Sequence, residues 1–186
     1  MNVKRRSKLL VKDIVYIGMF TALQCIISGF SIPIGPISIT LATFGLYIFS
    51  SLFPLRISFS IVILYILLGI CGLPVFSNFQ GGFSVILGVP GGYIIGYIPM
   101  VLIIGGLREI VKDRKKLYPL IMILATLVLY VVGSLHFFFV NNQATSLVRI
   151  IEICVLPFIP LDLLKIFISS VISSRLKPMV EKSLSL

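Results

Sequence analysis

Between Asp13 and Arg108 the chain carries one charged residue, Arg56. A second long stretch, Tyr118 to Val140, contains no acid, lysine or arginine. Apolar runs of about 20 residues are long enough to cross a hydrocarbon core roughly 30 Å thick. Hydrophobic residues make up 58% of the 186 and charged residues only 12%, too few to build a soluble surface. The expected fold is an all-α integral membrane protein. Residues 1–186 form a single bundle of six transmembrane helices, with no room for a second domain.

The basic segment 1–12 holds Lys4, Arg5, Arg6, Lys8 and Lys12 and precedes the first span, Ile14 to Phe30. Basic-then-apolar order also describes a secretory signal, but this run is long and no A-x-A cleavage signal follows it. Ser31 to Pro36 holds two prolines and a glycine and reads as a turn. The second span, Ile37 to Phe53, is short for a straight crossing, so it is tilted, broken or shielded by protein. Pro54 and Arg56 mark a turn before the third span, Ile57 to Gly72.

Leu73 to Gly92 breaks the pattern. Its five glycines and two prolines forbid a regular helix across it, yet it is too apolar for an ordinary solvated loop. Irregular backbone near a membrane is covered by protein or lines a cavity. The stretch reads as a re-entrant or lid-like loop over a pocket, with Ser77, Asn78, Gln80 and Ser84 as its polar groups. The plainer alternative is an external connector. The fourth span, Tyr93 to Leu107, and the fifth, Tyr118 to Val140, flank the basic loop 108–117, which holds Arg108, Lys112, Arg114, Lys115 and Lys116. After the polar connector Asn141 to Arg149, the sixth span starts near Ile151, and Arg175, Lys177 and Lys182 follow in the tail.

Charge sets the orientation. With the N-terminus inside and six spans, the inner segments hold fourteen of the sixteen Lys and Arg residues. The outer connectors hold only Arg149, and Lys165 lies within the sixth span. The positive-inside rule is met at every turn, which puts both termini in the cytoplasm and the loop 73–92 outside. The net charge of +10 is therefore topological and implies no nucleic-acid partner. Cys25, Cys71 and Cys154 are odd in number and lack metal-ligand spacing, so no disulfide framework, metal or cofactor is expected. With no tryptophan, the seven tyrosines are left to supply aromatic anchors at the interface. His136 stands alone and is read as a packing or interfacial residue.

Asp162 and Lys165 are the only charges between Glu152 and Arg175, inside the last apolar segment, Cys154 to Ser173. A charge at the bilayer centre costs about 2.5–3.5 kcal/mol even on a lenient scale. Their spacing of three puts them on one helix face, close enough to pair. The pair is either a structural bridge that pins helix packing or the floor of a site that offers a carboxylate and an ammonium to one polar molecule. In the first span Gly18 and Ala22 make a small-xxx-small face that serves packing within the bundle or docking of a partner.

Several stretches, taken together, resemble one family. They are Phe158-Ile159-Pro160-Leu161-Asp162-Leu163-Leu164-Lys165, Gly72-Leu73-Pro74-Val75-Phe76, Gly81-Gly82, Leu87-Gly88-Val89-Pro90-Gly91-Gly92-Tyr93, and Pro36-Ile37-Ser38-Ile39-Thr40-Leu41. In this order and spacing they are similar to BioY, the biotin-binding membrane subunit (S component) of energy-coupling factor (ECF) transporters. The resemblance covers nearly the whole chain. It implies six helices, a biotin pocket near the outer surface capped by the Gly-rich loop, and no catalytic site. It implies that Asp162 and Lys165 meet the polar part of the ligand, that Gln80 supplies the loop amide, and that Tyr93 lies beside the pocket. It also implies that Gly18 and Ala22 dock on a transmembrane coupling subunit, which works with two ATPase subunits. The chain departs from the family pattern at Ala42, where glutamine is common, at Gln80, where a shorter amide is usual, and at Val89-Pro90. The first two departures lie near the presumed ligand.

The chemistry expected is recognition alone. A carboxylate accepts ureido N–H bonds, an ammonium donates to a carbonyl or carboxylate, and an amide does both. Asn78 joins these polar groups, and Phe79, Phe83 and Tyr93 are the expected apolar walls. No phosphate-binding Gly-x-x-x-x-Gly-Lys-Ser/Thr loop is present, so energy for uptake has to come from partners. Two other classes compete. An ion-coupled carrier would use Asp162 as a relay, but no chain of acids and histidines crosses the bundle. An intramembrane enzyme would need a nucleophile with a base, or clustered metal ligands.

Overall fold

The computed structural model describes residues 11–34, 37–111, 117–141 and 146–185. Most of the two basic segments, 1–10 and 112–116, therefore lies outside the described residues. The first helix, α1 (Val11–Gly29), turns Ile17, Thr21, Gln24 and Ser28 inward. Val15, Met19, Leu23 and Ile26 are exposed on its other side. Polar inside and apolar outside is the arrangement lipid demands, because a polar group finds partners only within the bundle.

The second span does not begin at Ile37. Ser31–Ile34 (β1) and Ile37–Thr40 (β2) form an antiparallel hairpin, with Ser31 opposite Thr40 and Ile32 opposite Ile39. Ile-Ser-Ile-Thr alternates with a period of two, and β-branched residues favour the pleat. The following helix, α2 (Ala42–Leu52), starts where the Thr40 hydroxyl accepts the Ala42 N–H at 2.9 Å. Nine of its eleven residues are buried. At about 1.5 Å per residue this helix is far too short to cross a bilayer alone. It is a central post shielded by α1, by α3 (Leu55–Ile70), by α5 (Gly91–Ile110) and by α8 (Ile159–Ser185).

The Gly-rich stretch contains a 3-10 turn at Ser77–Phe79 and a short helix, α4 (Phe83–Leu87). Two bonds tie it down: Gly82 N–H donates to Gly69 O at 2.7 Å, and Phe76 N–H to Gln80 O at 2.8 Å. Phe76 is 1% exposed and stands edge-on to Tyr65, with ring centroids 5.7 Å apart.

Helix α5 packs along α6 (Tyr118–Val140) through glycines. A Cβ on Gly92 would strike the His136 side chain, and one on Gly133 would strike the Tyr93 ring. The sixth span is split. Leu147–Cys154 forms a separate helix, α7, whose N-cap Ser146 accepts the Arg149 N–H, and α8 starts only at Ile159. Pro157, lacking an N–H and restricting Leu156, interrupts the ladder between them.

Among the described residues, three helices are long and apolar enough to cross a membrane: α1, residues Gly91–Arg108 of α5, and α6. Helices α2 and α3 are apolar but shorter. Six of the seven tyrosines, Tyr47, Tyr65, Tyr93, Tyr97, Tyr118 and Tyr130, are buried and so do not serve as interfacial anchors, while Tyr16 is half-buried. The hydroxyls of Tyr47, Tyr93, Tyr118 and Tyr130 have partners inside the bundle, as in the Tyr47–Thr126 contact at 2.6 Å.

Candidate functional site

Helix α8 starts at the wall of a cavity of about 340 Å³. That volume lies within the usual range for small-molecule pockets, about 300–1,000 Å³. Asp162 sits in the first turn of α8, where the helix dipole favours a carboxylate. Lys165, one turn on, donates to Asp162 Oδ1 at 2.9 Å, to the Thr40 carbonyl at 2.7 Å and to Thr43 Oγ1 at 3.2 Å. The ammonium's three protons thus each have an acceptor. The other carboxylate oxygen, Oδ2, accepts the Tyr130 hydroxyl at 2.7 Å. Asp162 is 5% exposed and Lys165 9%.

The hairpin and loop also line the cavity, with Pro33, Ser38, Ser77, Asn78, Gln80 and Pro90, and the loop residues Asn78 and Gln80 are exposed. Asn78 holds the two pieces together. Its amide nitrogen donates to Ser38 Oγ at 2.9 Å, its carbonyl oxygen accepts from Ser31 Oγ at 2.8 Å, and its backbone N–H donates to the same hydroxyl. It does this from a left-handed conformation, φ 57°, which asparagine tolerates better than most residues. Asn78→Ala removes both side-chain ties, so we expect ligand dissociation to speed up by roughly tenfold with the fold intact, measured by stopped-flow release.

The apolar walls are Ile37, Ile94, Tyr97, Leu129 and Phe158 together with Tyr93. The Tyr93 hydroxyl donates to the Cys154 carbonyl at 3.0 Å and so pins the end of α7 beside the cavity. Five of the seven residues singled out from sequence meet here: Asp162, Lys165, Gln80, Tyr93 and Asn78. Phe79 and Phe83 do not line the cavity. They are 53% and 57% exposed, and the Phe79 ring packs against Gly29 and Phe30 instead. Ala42 is also absent from the lining, and its carbonyl accepts the Gln24 amide at 3.2 Å. His136 is a packing residue, its ring nitrogen Nε2 within 3.0 Å of the Gly88 carbonyl.

Sequence reasoning missed Tyr130, Thr40 and Thr43. Nothing marks a tyrosine in an apolar run as the partner of a carboxylate 32 positions away. The hydroxyls of Thr40 and Thr43, three apart and near the hairpin, were the only signal there.

Fold and cavity together define a helical membrane protein with a partly open chamber that holds a buried ion pair beside the start of its longest helix. Comparison with known proteins narrows this class. The BioY family model matches residues 1–182, and the chain belongs to the BioY family. A protein of Thermotoga maritima named "Biotin transporter BioY" is 32% identical, with 90% of this chain and 96% of the relative aligned. A "Probable biotin transporter BioY" of Pyrococcus horikoshii is 33% identical over 89% of this chain and 96% of its own. A crystal structure described as the S-component for biotin from an ECF-type ABC transporter superimposes with a TM-score of 0.83 at 27% identity, covering 95% of each chain.

Proposed function

We propose that this chain is the substrate-capturing membrane subunit of an ECF-type uptake system and that it binds biotin with high affinity from the outer side. The observation that carries the reading is the buried Asp162–Lys165 pair on the wall of a cavity of about 340 Å³. Biotin's ureido ring donates through two N–H groups and accepts through its carbonyl. Asp162 keeps lone pairs for the N–H groups, and Lys165 donates to the oxygen by exchanging one of its present acceptors, such as the Thr43 hydroxyl at 3.2 Å. Ile37, Ile94, Tyr93 and Tyr97 suit the apolar thiophane ring. Family membership and the names of the relatives support the same ligand.

In this reading α1, α2, α3, α5, α6 and α8 are the six helices of the bundle, with both termini cytoplasmic and the loop 73–92 outside as a cap. The chain performs no chemistry. Uptake needs a transmembrane coupling subunit and two ATPase subunits. Gly18 and Ala22 are exposed on α1, and a Cβ on Gly18 would meet nothing within 4 Å, so this face is not used for packing within the described bundle. An open small-residue face suits close approach of a partner helix.

The test is calorimetry of biotin with the purified protein in detergent. Binding with a Kd on the order of nanomolar, about 12 kcal/mol, is expected. Absence of binding by folded, monodisperse protein would reject biotin as the ligand.

A further inference from the structure

The cavity is not the only hollow beside the loop. Beside it lies a shallower depression of about 430 Å³, lined by Gln80, Gly81, Ser84, Val85, Gly88 and Pro90. Gln80 and Pro90 border both hollows. The depression is walled by glycines and short side chains, so its space is not filled by the protein itself.

Charge is placed unevenly along this double hollow. Asp162 and Lys165 stand together at the α8 end, and no other acid, lysine or arginine lines either part. The pair is neutral as a unit, and its ammonium protons already reach Asp162, Thr40 and Thr43. Such a pair suits a neutral group that both donates and accepts, which is a ureido ring and not a free anion. A carboxylate on the far end of an extended ligand then reaches the Gln80–Pro90 end, where no cation waits for it. An unpaired anion is costly to bury, so it belongs at the mouth, in contact with water. Gln80 is exposed there, and its side chain makes no hydrogen bond among the described residues. A primary amide serves a ligand's carboxylate and a ligand's amide equally well, accepting an N–H or donating to an oxygen.

We propose that the outer depression is a subsite for whatever is joined to the ligand's carboxyl group. The chain therefore takes biotinyl amides, with biotin linked to a small amine or to a lysine side chain, as well as free biotin. The inference rests on the biotin reading above.

Calorimetry on the full chain separates the two. The ligands are biotin, its primary amide, and biotin joined to the ε-amine of lysine; the variant is Ser84→Trp, at a position that lines the depression and not the cavity. Both amides are expected to bind within about tenfold of biotin. Ser84→Trp is expected to weaken the lysine conjugate by about tenfold or more while leaving biotin unchanged, which also reports that the variant is folded. Conjugates that bind more than about 100-fold below biotin overturn the inference and leave the biotin reading standing. So does a Ser84→Trp variant that binds biotin and the conjugate as the parent does. If biotin itself fails to bind, the reading falls, and the subsite falls with it.

Discussion

Lys165→Ala is expected to lower biotin affinity by about 100-fold or more and to destabilise the protein at once. Among the described residues the ammonium is the only cation paired with the buried Asp162 carboxylate, at 2.9 Å, and it also ties α8 to the Thr40 carbonyl and the Thr43 hydroxyl. Removing one partner of a buried pair typically costs about 3–5 kcal/mol, because the other charge stays behind without compensation. Asp162→Asn makes the complementary cut. It keeps the shape and an acceptor for Tyr130 but leaves the ammonium without a counter-charge. Each charge-assisted hydrogen bond to ligand is worth about 1.5–3 kcal/mol, so loss of two predicts at least a 100-fold fall in affinity for both variants. The check is calorimetry alongside thermal unfolding in detergent. Tight binding retained in both variants would reduce the pair to a structural bridge.

Gly92→Leu is expected to have the largest effect away from the charges. At Gly92 a Cβ would strike the His136 side chain and come within 3.2 Å of the Gly133 backbone, so a leucine has to drive α5 and α6 apart. Overpacking of this kind costs about 1–3 kcal/mol, and more where backbone meets backbone. The same seam positions Tyr93 and Tyr97 on α5 and Tyr130 on α6, all on the cavity lining. Stability and ligand affinity should therefore fall together, with Gly92→Ala intermediate. Thermal unfolding with and without biotin measures both. An unchanged midpoint for Gly92→Leu would mean that the two helices are not in close contact at this turn.

How much of this was readable in advance follows from what each feature depends on. Fold class depends on local composition, and the long uncharged runs were enough to make the chain a helical membrane protein. The charged pair was equally plain. Asp162 and Lys165 lie three apart in an apolar segment, and a helix puts such neighbours in contact whatever surrounds it. The loop polar groups Asn78 and Gln80 stood out for a similar reason, since irregular backbone at membrane depth has to cover or line something, whereas only the family resemblance placed Tyr93 beside the pocket. The hairpin was missed because Ile37 and Ile39 are as apolar as any helix residue. Its alternation with Ser38 and Thr40 is a four-residue signal that the longer apolar run masks. The break between α7 and α8 was missed although Pro157 announced it.

Only the tertiary structure decided which faces look inward. Lipid accepts any apolar surface, so in α6 the sequence does not distinguish the face that holds Leu129 and Tyr130, 2% and 8% exposed, from the one that holds Leu127 and Val131, 54% and 58% exposed. Packing makes that choice. It sends the Tyr130 hydroxyl to Asp162, brings Thr43 to Lys165 across 122 positions of chain, and leaves Phe79 and Phe83 outside the chamber they were expected to wall. Sequence alone determined that the protein is a helical membrane bundle and that an ion pair lies buried in its last helix, because both follow from the cost of charge in hydrocarbon. The cavity, its size and the partners of that pair are properties of helices meeting at a distance, which no local pattern encodes.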